Sequence, residues 1–464
     1  MATPLDELPL RIRRVKIVGN NRTRPYVVED QLQDAYEATT VGDVYGGLVE
    51  GAHKLEDMGL FESVQVSMDA VEDKDGSLDQ TDVTVTVKEK NWYLLQTGAT
   101  TAGTQGNLDA SEFSNLRYSL AGALKNALGH GEMLDMGYNS PIAGQEGHTV
   151  SAKLFLPSLF RGPVTGTLEA IMDTVDLTKF CSLLEHRRGV TATARTLDGK
   201  HTLAAEMGLR DLSPRRHPGV PYAYAASLGV VADAARPSTK TSLKYTYTED
   251  ERDNPFIPAM GSYLQASVEG AGLMGDTSFA KGMLELQRHI PLLAVVLGPE
   301  MVSPISLSLC ASGGAIRPLG SSNRRTFFSD RFNLGGPMTL RGFPFYGAGP
   351  RAPKEEGGCK GGDALGGDIR YTASASLGFP FPVPAMATAG WRGYFFANLG
   401  NLTTWDTPLR QYGRDTRVSV GVAAAWNFLG VGRLEINYAK VLRRSQRDLH
   451  RERPLQFGFG VSFE

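Results

Sequence analysis

The sequence is poor in cysteine, in net charge and in long hydrophobic runs, and each shortage excludes a class of protein. Its three cysteines, Cys181, Cys310 and Cys359, lack pairing spacing, so neither a disulfide scaffold nor a cysteine-rich metal site is indicated. Its 48 Lys and Arg against 50 Asp and Glu give a net charge of −2. This balance excludes a nucleic-acid-binding surface set by bulk charge and an acidic disordered chain.

Nothing in the hydropathy of the chain predicts a transmembrane helix. The longest uncharged run, residues 371–391, carries Pro380, Pro382 and Pro384, which a spanning helix tolerates poorly. The first ten residues contain two carboxylates, two prolines and no apolar core, so they fit neither a secretory signal nor an Arg-rich transit peptide. We expect a chain that is already mature or that reaches its compartment by an internal signal. Glycine, in contrast, is abundant, with 53 residues, about 11% of the chain against roughly 7% on average.

Residues 11–90 are predicted to form a small α+β domain with the element order β-α-α-β-β. Thr23 is positioned to cap the first helix, with Pro25 near its first position, and Gly59 is positioned to end the second. The predicted strands cover residues 11–18, 61–68 and 82–87, and the predicted helical faces carry Val28, Leu32 and Tyr36, then Leu48, Val49, Ala52 and Leu55 within residues 42–58. On pattern alone, many small domains share this order.

From Trp92 onward the helical pattern nearly vanishes, and apolar and polar residues alternate with period two. In residues 305–312, isoleucine, two leucines and an alanine face one way, while three serines and Cys310 face the other. The same alternation recurs in residues 134–139, 418–426, 434–439 and 456–463. A count of such segments gives roughly sixteen or seventeen strands.

Two architectures fit this alternation. A soluble sandwich or propeller buries the apolar faces against a second sheet, whereas a transmembrane barrel turns them toward lipid and its polar faces toward the lumen. The barrel explains why glycine and charge share one face, and why no helices cover so large a sheet. It also explains the Tyr and Trp residues near strand ends, which form interfacial girdles in barrels: Trp92, Tyr93, Tyr245, Tyr247, Trp391, Tyr394, Trp405 and Trp426. The alternation therefore favours a barrel.

The longest irregular stretch of this zone is residues 318–366, between two strong strands. A loop of that length is either functional or disordered, and its pattern is too specific for a linker. One interpretation is the constriction loop of a porin, in which Arg341 only lines the lumen. A phosphate cradle is disfavoured, because the chain has no GxxxxGK[ST] motif and no helix follows these glycines.

Several motifs, spaced in order along the chain, carry a resemblance to a known family. Residues 331–343 (RFNLGGPMTLRGF) resemble the signature loop of the POTRA-barrel outer-membrane insertase superfamily, which has an Arg-Gly-Phe core. Residues 252–263 and 394–401 resemble two barrel segments of that superfamily. Residues 54–66 are similar to the helix–glycine–aromatic–strand junction of a POTRA domain.

This resemblance implies a fold: an all-β transmembrane β-barrel of about sixteen antiparallel strands with one N-terminal α+β POTRA domain. The implied domains are a tail at residues 1–10, the POTRA domain at residues 11–90 and the barrel at residues 91–464, with a lumenal loop at residues 318–366. Within that loop, the resemblance marks a motif of four residues: Leu340, Arg341, Gly342 and Phe343.

A single POTRA domain without a secretion signal resembles the barrel subunit of the mitochondrial sorting and assembly machinery. This implies a multi-pass barrel in the mitochondrial outer membrane that inserts β-barrel precursors without a cofactor, nucleotide or metal. The implied partners are those precursors, accessory subunits of an assembly complex and the lipid bilayer, but no nucleic acid. Residues 456–463 fit a β-signal, although any amphipathic last strand with a glycine can match that pattern. No enzyme is expected, because HExxH, GxSxG and Cys/His clusters are absent from the sequence.

Arg341 is the residue to which we assign most importance. A guanidinium in the lumen needs an acidic or carbonyl partner, because an unpaired buried cation is costly. In bacterial relatives, carboxylates on the following strands hold the loop arginine, but the corresponding residues are Gly378 and Asn398. Asp363, Asp368 or Asn398 is therefore expected to bind Arg341 instead.

The resemblance also implies a lateral seam between the first and last barrel strands. Glycines in the last strand weaken its packing and would permit opening; alternatively, they only relieve crowding in the lumen. The expected seam residues are Trp92, Leu94, Gln96 and Gly98 on one side and Gln456, Gly458, Gly460, Val461 and Phe463 on the other. A strand of the POTRA domain could also pair with an incoming peptide, or the domain could serve only to dock partner subunits. The rival functions are a passive diffusion channel and a polypeptide-translocating barrel of the plastid import or secretion type.

Overall fold

The computed structural model describes most of the chain, in two compact units. The described residues are 5–71, 79–101, 116–141, 147–159, 162–215, 225–235, 237–298, 301–320, 326–356, 358–359, 361–428, 432–449 and 454–461. The first unit comprises Met1–Thr97, Leu120–Tyr138 and Ser151–Glu169, and the second comprises Gly98–Ser119, Asn139–Val150 and Ala170–Glu464. No helix in the described ranges is both long and apolar enough to cross a bilayer.

The N-terminal domain, within the first unit, has the predicted order of elements. Its three-stranded sheet consists of β1 (Arg11–Val18), β2 (Phe61–Val71) and β3 (Gln80–Glu89). The central strand β3 pairs in parallel with β1 and antiparallel with β2. Its helices are α1 (Pro25–Glu29), α2 (Gln33–Glu37) and α3 (Val41–Asp57), with 3-10 turns at Leu5–Glu7 and Asp30–Leu32. The first predicted helix is therefore two short helices joined by a 3-10 turn.

The helix ends follow from local chemistry, with one correction to the predicted caps. The hydroxyl of Thr40 accepts a hydrogen bond from the Asp43 N–H and caps α3. Gly59, with φ of +66°, follows the end of α3 as predicted. Thr23 does not cap α1, because its hydroxyl donates to the carboxylate of Glu89 at 2.6 Å. Arg24 occupies the cap position without a side-chain hydrogen bond.

The apolar core of this domain lies where helical and strand periodicity predict it. Val28 and Leu32 of the first helical region and Leu48 and Leu55 of α3 are buried against β3, with Val83 and Val85 of that strand. Tyr36 and Val49, which also fit the helical spacing, are exposed. The core is therefore narrower than predicted.

The remaining strands form one sheet of sixteen, in chain order from β4 to β19. The sheet ends at β4 on one side and at β19 on the other. The strands are β4 (Tyr93–Thr101), β5 (Leu116–Lys125), β6 (Met133–Pro141), β7 (Thr149–Leu156), β8 (Val164–Asp176), β9 (Leu183–Thr196), β10 (His201–Pro214), β11 (Ser238–Asp250), β12 (Gly261–Ala271), β13 (Phe279–Gly298), β14 (Met301–Pro318), β15 (Ile369–Pro380), β16 (Trp391–Thr403), β17 (Arg417–Phe428), β18 (Gly432–Arg443) and β19 (Leu455–Val461). From β9 to β19, each described strand pairs antiparallel with the next.

The alternation of faces along these strands is confirmed. In β14, Ser306 and Ser308 are buried while Leu309 is exposed, and in β18, Glu435 is buried while Tyr438 is exposed. We call the face with the buried polar residues the inner face and the face with the exposed apolar residues the outer face. A soluble sandwich would bury its apolar face instead, so this arrangement is that of a membrane barrel.

The prediction that Tyr394 belongs to an interfacial aromatic girdle is wrong. Tyr394 is 5% exposed, and the Arg433 guanidinium lies over its ring at 5.3 Å. It faces inward because it alternates with Phe395, whose ring is exposed on the outer face. Tyr394 is therefore part of the lumenal packing, not of an interface girdle.

Short helices and 3-10 turns occur only in the connections of the described barrel region. They are α4 (Thr178–Cys181), α5 (Leu228–Asp233), α6 (Pro384–Thr388) and α7 (Leu409–Asp415), with 3-10 turns at Phe328–Asp330 and Lys354–Glu356. The longest connection joins β14 to β15 over residues 319–368, and we call it the long loop. Phe332, Leu334, Leu340 and Phe343 of the long loop are buried in one apolar cluster with Phe279, Ile316 and Leu402 of the sheet.

Candidate functional site: a loop clasp on the last strands

The motif predicted from the long loop is a tight, buried turn. The Gly336 N–H donates to the Phe343 carbonyl at 2.9 Å, and the Leu340 N–H donates to the Gly336 carbonyl at 3.1 Å. Gly342 has a φ of +87°, and a Cβ there would come within 3.2 Å of Ala439 and Val441. Glycine therefore permits both the left-handed backbone and the close approach of this turn to β18. The turn brings Arg341 onto the inner face of the last strands.

Arg341 is held by a carboxylate that the sequence did not reveal. Its Nε and Nη2 atoms lie 2.5 Å and 3.0 Å from the two carboxylate oxygens of Glu435 on β18. This is the bidentate geometry in which an arginine–carboxylate pair is strongest. Glu435 is fully buried, and Arg433 also donates to it at 2.6 Å. The Arg341 guanidinium lies 4.7 Å from the Phe396 ring centre, a cation–π contact.

Two of the three partners predicted for Arg341 are wrong. Asp363 accepts hydrogen bonds from Ser182, the Ser227 N–H and the Cys359 N–H. Asp368 accepts one from Thr326. The third prediction is confirmed, because Arg341 Nη1 donates to the Asn398 side-chain oxygen at 3.5 Å, at the weak limit of a hydrogen bond.

A single carboxylate, Glu435 on β18, thus binds Arg341 in place of the predicted acidic partners. At Gly378, an added Cβ would meet Tyr394 and Ser306, so this position faces other partners. Glu435 was visible in the sequence only as the acidic member of the polar face of residues 434–439. The sequence did not show which residues of the long loop lie opposite Glu435.

The same turn is tied to the two strands that flank β18. The Ser419 hydroxyl of β17 donates to the Arg341 carbonyl at 2.7 Å. On β19, the Gln456 amide accepts from the Gly342 N–H at 2.7 Å and donates to the Phe343 carbonyl at 2.9 Å. We call these contacts, made by residues 341–343 with Ser419, Glu435 and Gln456, the loop clasp. It joins β17, β18 and the edge strand β19 through one turn.

Gly458 lies beside the clasp, also on the inner face of β19. A Cβ there would come within 2.9 Å of Met338 Sδ and 3.3 Å of Pro337. The close approach of the long loop therefore requires glycine at this position. Of the two interpretations of these glycines, this contact favours relief of crowding in the lumen over weakened packing of the last strand. Gly460 and Val461 pair with Arg433 and Gly432 of β18. Phe463 lies outside the described residues.

Further ion pairs fix other parts of the long loop. Arg417, nearly fully buried at the start of β17, lies 2.6 Å from Asp448, and Asp448 also accepts from the Gly349 N–H. Asp233 binds Arg331 at 2.9 Å. These contacts hold the long loop at Arg331 and at Gly349, on either side of the clasp.

The predicted seam residues of β4 have different surroundings. Trp92 precedes the strand, Leu94 and Gln96 lie on it, and all three are exposed. Gly98 lies farther along the same strand. The described side chains of residues 93–97 are exposed on both faces.

A hydrogen-bond network within the first unit holds the segment that leads to β4. The Glu89 carboxylate accepts hydrogen bonds from the N–H groups of Arg22 and Thr23 and from the Thr23 hydroxyl. The Asn126 amide donates to the same hydroxyl at 2.7 Å. Partial burial raises the pKa of Glu89, but these hydrogen bonds outweigh it and lower the pKa below its ordinary value.

Comparisons with known proteins agree with this architecture. The Omp85 superfamily domain matches residues 126–463, and POTRA, described as a surface antigen variable number repeat, matches residues 10–90. The chain is 26% identical to a SAM50-like protein of Schizosaccharomyces pombe, over 98% of this chain and 91% of that protein. It is 27% identical to the sorting and assembly machinery component 50 homolog of Xenopus tropicalis, over 99% of this chain and 92% of that protein.

The fold also matches a solved structure. BamA from Haemophilus ducreyi lacking POTRA domains 1–3 superposes with a TM-score of 0.75 at 18% identity, covering 98% of this chain and 85% of that chain. At this identity the likeness concerns the fold. It confirms the prediction of a barrel of about sixteen strands with an N-terminal POTRA domain. The chain therefore belongs to the Omp85 superfamily, and it is an outer-membrane β-barrel with a POTRA domain.

Proposed function

We propose that this protein inserts β-barrel precursors into the mitochondrial outer membrane through a seam between β4 and β19. We infer the mitochondrial outer membrane from the likeness to the sorting and assembly machinery proteins. The observation that carries the seam is the asymmetry of the sheet edges: the loop clasp holds β19, while the described side chains of β4 are exposed. The partners of this activity are barrel precursors, accessory subunits and the bilayer. The activity is non-enzymatic and needs no cofactor.

The physical basis is the cost of unpaired backbone groups in lipid. Each N–H or C=O group of an unfolded strand that lacks a partner in hydrocarbon costs several kcal/mol. An exposed sheet edge can pair those groups one strand at a time by β-augmentation. A barrel with an openable seam therefore lowers the barrier to insertion of another barrel.

The clasp assigns different roles to the two edges. Opening β19 would break the hydrogen bonds of Gln456 with Gly342 and Phe343, and would leave buried polar groups unpaired. Opening β4 breaks no comparable side-chain contact among its described residues. We infer that β4 moves and that β19 stays with the clasp as the template edge.

The long loop argues against a passive diffusion channel. Phe332, Leu334, Leu340 and Phe343 are buried in the sheet interior, so the loop occupies space that a wide pore would leave to water. Depletion followed by a count of other outer-membrane barrels separates the two functions. Insertase activity predicts that the other barrels decline before unrelated outer-membrane proteins do. Unchanged barrels, together with a large, stable conductance of the purified protein, would establish the channel instead. Loss of imported or secreted soluble proteins with normal barrels would establish a polypeptide translocator.

A further inference from the structure

Strands β13 and β14 extend past their neighbours as a two-stranded ribbon. They have 20 and 18 residues and pair with each other as far as Gly298 and Met301. Pairing with the adjacent strands ends earlier: β12 pairs with β13 only as far as His289, and β15 pairs with β14 only as far as Ser306. We call residues 290–298 of β13 and 301–305 of β14 the rim hairpin. The rim hairpin lies at the N-terminal end of β14, whereas the long loop follows the C-terminal end of that strand.

The sequence explains where the neighbours stop. Pro291 and Pro304 lie just beyond the last residues paired with β12 and β15, and proline cannot donate to a sheet ladder. The stretch is also almost uncharged, since Glu300 is the sole charged residue between Arg288 and Arg317. The rim hairpin is therefore a paired ribbon of apolar residues.

Apolar side chains are exposed on this ribbon, beyond the residues that pair with β12 and β15. Leu292 and Leu293 are 56% and 62% exposed, although α6 lies close to β13. Arg288, exposed on the outer face, indicates the level of the membrane interface, since a cationic side chain is costly in hydrocarbon. Lipid cannot cover a ribbon with open edges, because the edge N–H and C=O groups would remain unpaired. An extended polypeptide can cover both the side chains and the edge.

The two edges of the rim hairpin are not equivalent. On the β14 side, Arg392 donates to the Pro304 carbonyl at 2.7 Å and to the Ser306 hydroxyl at 3.0 Å. On the β13 side, the described residues 290–298 have no strand beside them other than β14. Pro291 prevents pairing at its own position, but residues 292–298 beyond it contain no charged residue of the kind that usually protects an exposed edge. It is the edge that can accept another strand.

We propose that the β13 edge of the rim hairpin is a docking site for an extended, amphipathic strand of a barrel precursor. The outward apolar residues Leu284 and Leu286 of β13 are followed, beyond Arg288, by Ile290. A strand paired with the hairpin would therefore have its apolar face in line with the lipid-facing surface before insertion. A membrane-bound strand fits this continuity better than a soluble partner does. The inference rests on the proposed insertase function.

The first test is site-specific crosslinking to a defined probe. The probe is a synthetic peptide with the sequence of residues 454–464 of this chain, an amphipathic barrel strand, and a scrambled peptide without alternation is its control. A photoreactive residue at position 293 of the intact protein in liposomes should capture the probe but not the scrambled peptide. A photoreactive residue at position 273, in the turn between β12 and β13 at the other end of β13, should capture neither peptide. Equal capture at both positions, or no capture at 293, would overturn the docking site.

The second test is the insertion rate of a barrel precursor into liposomes that contain the intact protein. The variant Leu292→Lys/Leu293→Lys should insert precursor about tenfold more slowly, because two docking side chains are replaced by charge. The matched control is Leu273→Lys/Met274→Lys, which changes two adjacent residues that are 76% and 63% exposed, and it should keep the wild-type rate. A second variant replaces residues 292–305 by Asn-Gly, a two-residue turn between the paired residues Pro291 and Ser306. It should be as slow as the lysine variant while its barrel remains folded.

These outcomes separate the docking site from the proposed function. If wild-type protein inserts precursor and both hairpin variants match it, the docking site is wrong and the insertase function stands. If wild-type protein inserts nothing while position 293 captures the probe, the insertase function is wrong. If position 293 is occupied by a protein that copurifies stoichiometrically and excludes the probe, the hairpin binds a resident subunit and the proposal is overturned.

Discussion

The two edge strands of the sheet differ in what covers them. The inner face of β19 lies under the long loop, where Gln456 makes two hydrogen bonds with the turn. On β4, the described side chains of residues 93–97 are exposed on both faces. Both strands present backbone groups at the end of one sheet, so the difference between them lies in side-chain cover and not in strand pairing.

The comparison shows how one sheet can have a fixed edge and a mobile edge. An edge that must break buried polar contacts opens at high free energy, whereas an edge without such contacts opens easily. The long loop can therefore determine which side of the seam moves through its hydrogen bonds with β19. Four substitutions or conditions test this difference, from the largest expected effect to the smallest.

Removal of Glu435 should have the largest effect. Glu435→Ala leaves Arg341 and Arg433 buried without their carboxylate, and such uncompensated charges cost about 3–5 kcal/mol. Thermal unfolding of the barrel in detergent should show this loss. Glu435→Gln, which keeps the hydrogen-bond acceptor, should lose less. A loss within about 0.5 kcal/mol for Glu435→Ala, typical of a surface residue, would contradict the role of the clasp.

Removal of Gln456 should loosen β19 alone. Gln456→Ala leaves the Gly342 N–H and the Phe343 carbonyl without their partner, at about 1–3 kcal/mol for each unpaired buried group. Amide hydrogen exchange should rise in residues 455–461 and stay unchanged in β9 and β10. If exchange rises equally in all strands, Gln456 stabilises the whole barrel and not one edge.

Gln96 on β4 is the matched control for Gln456. Both are glutamines on edge strands, but Gln96 is exposed and Gln456 is buried. Gln96→Ala should change the free energy of unfolding by no more than about 0.5 kcal/mol. An effect of Gln96→Ala as large as that of Gln456→Ala would remove the distinction between the two edges.

The segment that leads to β4 should loosen at acid pH through Glu89. Because the folded-state pKa of Glu89 lies below its ordinary value of 4.5, its stabilising contribution is complete above that value. The contribution is lost as the pH falls through the folded-state pKa. Urea unfolding of the intact chain, followed by Trp92 fluorescence with the other tryptophans replaced, should show a small decline below about pH 4.5. Glu89→Gln should remove this part of the pH dependence, and an unchanged profile would refute the assignment.

The sequence predicted features that depend on local periodicity. Val28, Leu32, Leu48 and Leu55 could be placed in the POTRA core because helical spacing is read over a few residues. The strand faces followed from period two, as for Ser306 and Leu309 in β14. Tyr36, Val49 and Tyr394 are exceptions. At these positions a short periodic pattern does not specify which residues pack against the side chain.

The partners of the long loop could not be predicted, for a physical reason. Arg341 and Glu435 are separated by 94 residues, and the pairing depends on the register of the three intervening strands and on the path of the loop. The predicted partners Asp363 and Asp368 are closer to Arg341 in sequence than Glu435 is, but the loop turns them toward Ser182 and Thr326 instead. The resemblance located the arginine, and the fold was needed to locate its carboxylate.

The most direct test of the account is the precursor insertion rate of Arg341→Ala in liposomes, normalised to folded barrel. The loop clasp predicts a rate far below that of the wild type even when the amount of folded barrel is matched. Arg341→Lys, a point charge without the bidentate fork, should give an intermediate rate. If insertion falls only in proportion to folded barrel, Arg341 is a stability residue and the central claim is contradicted.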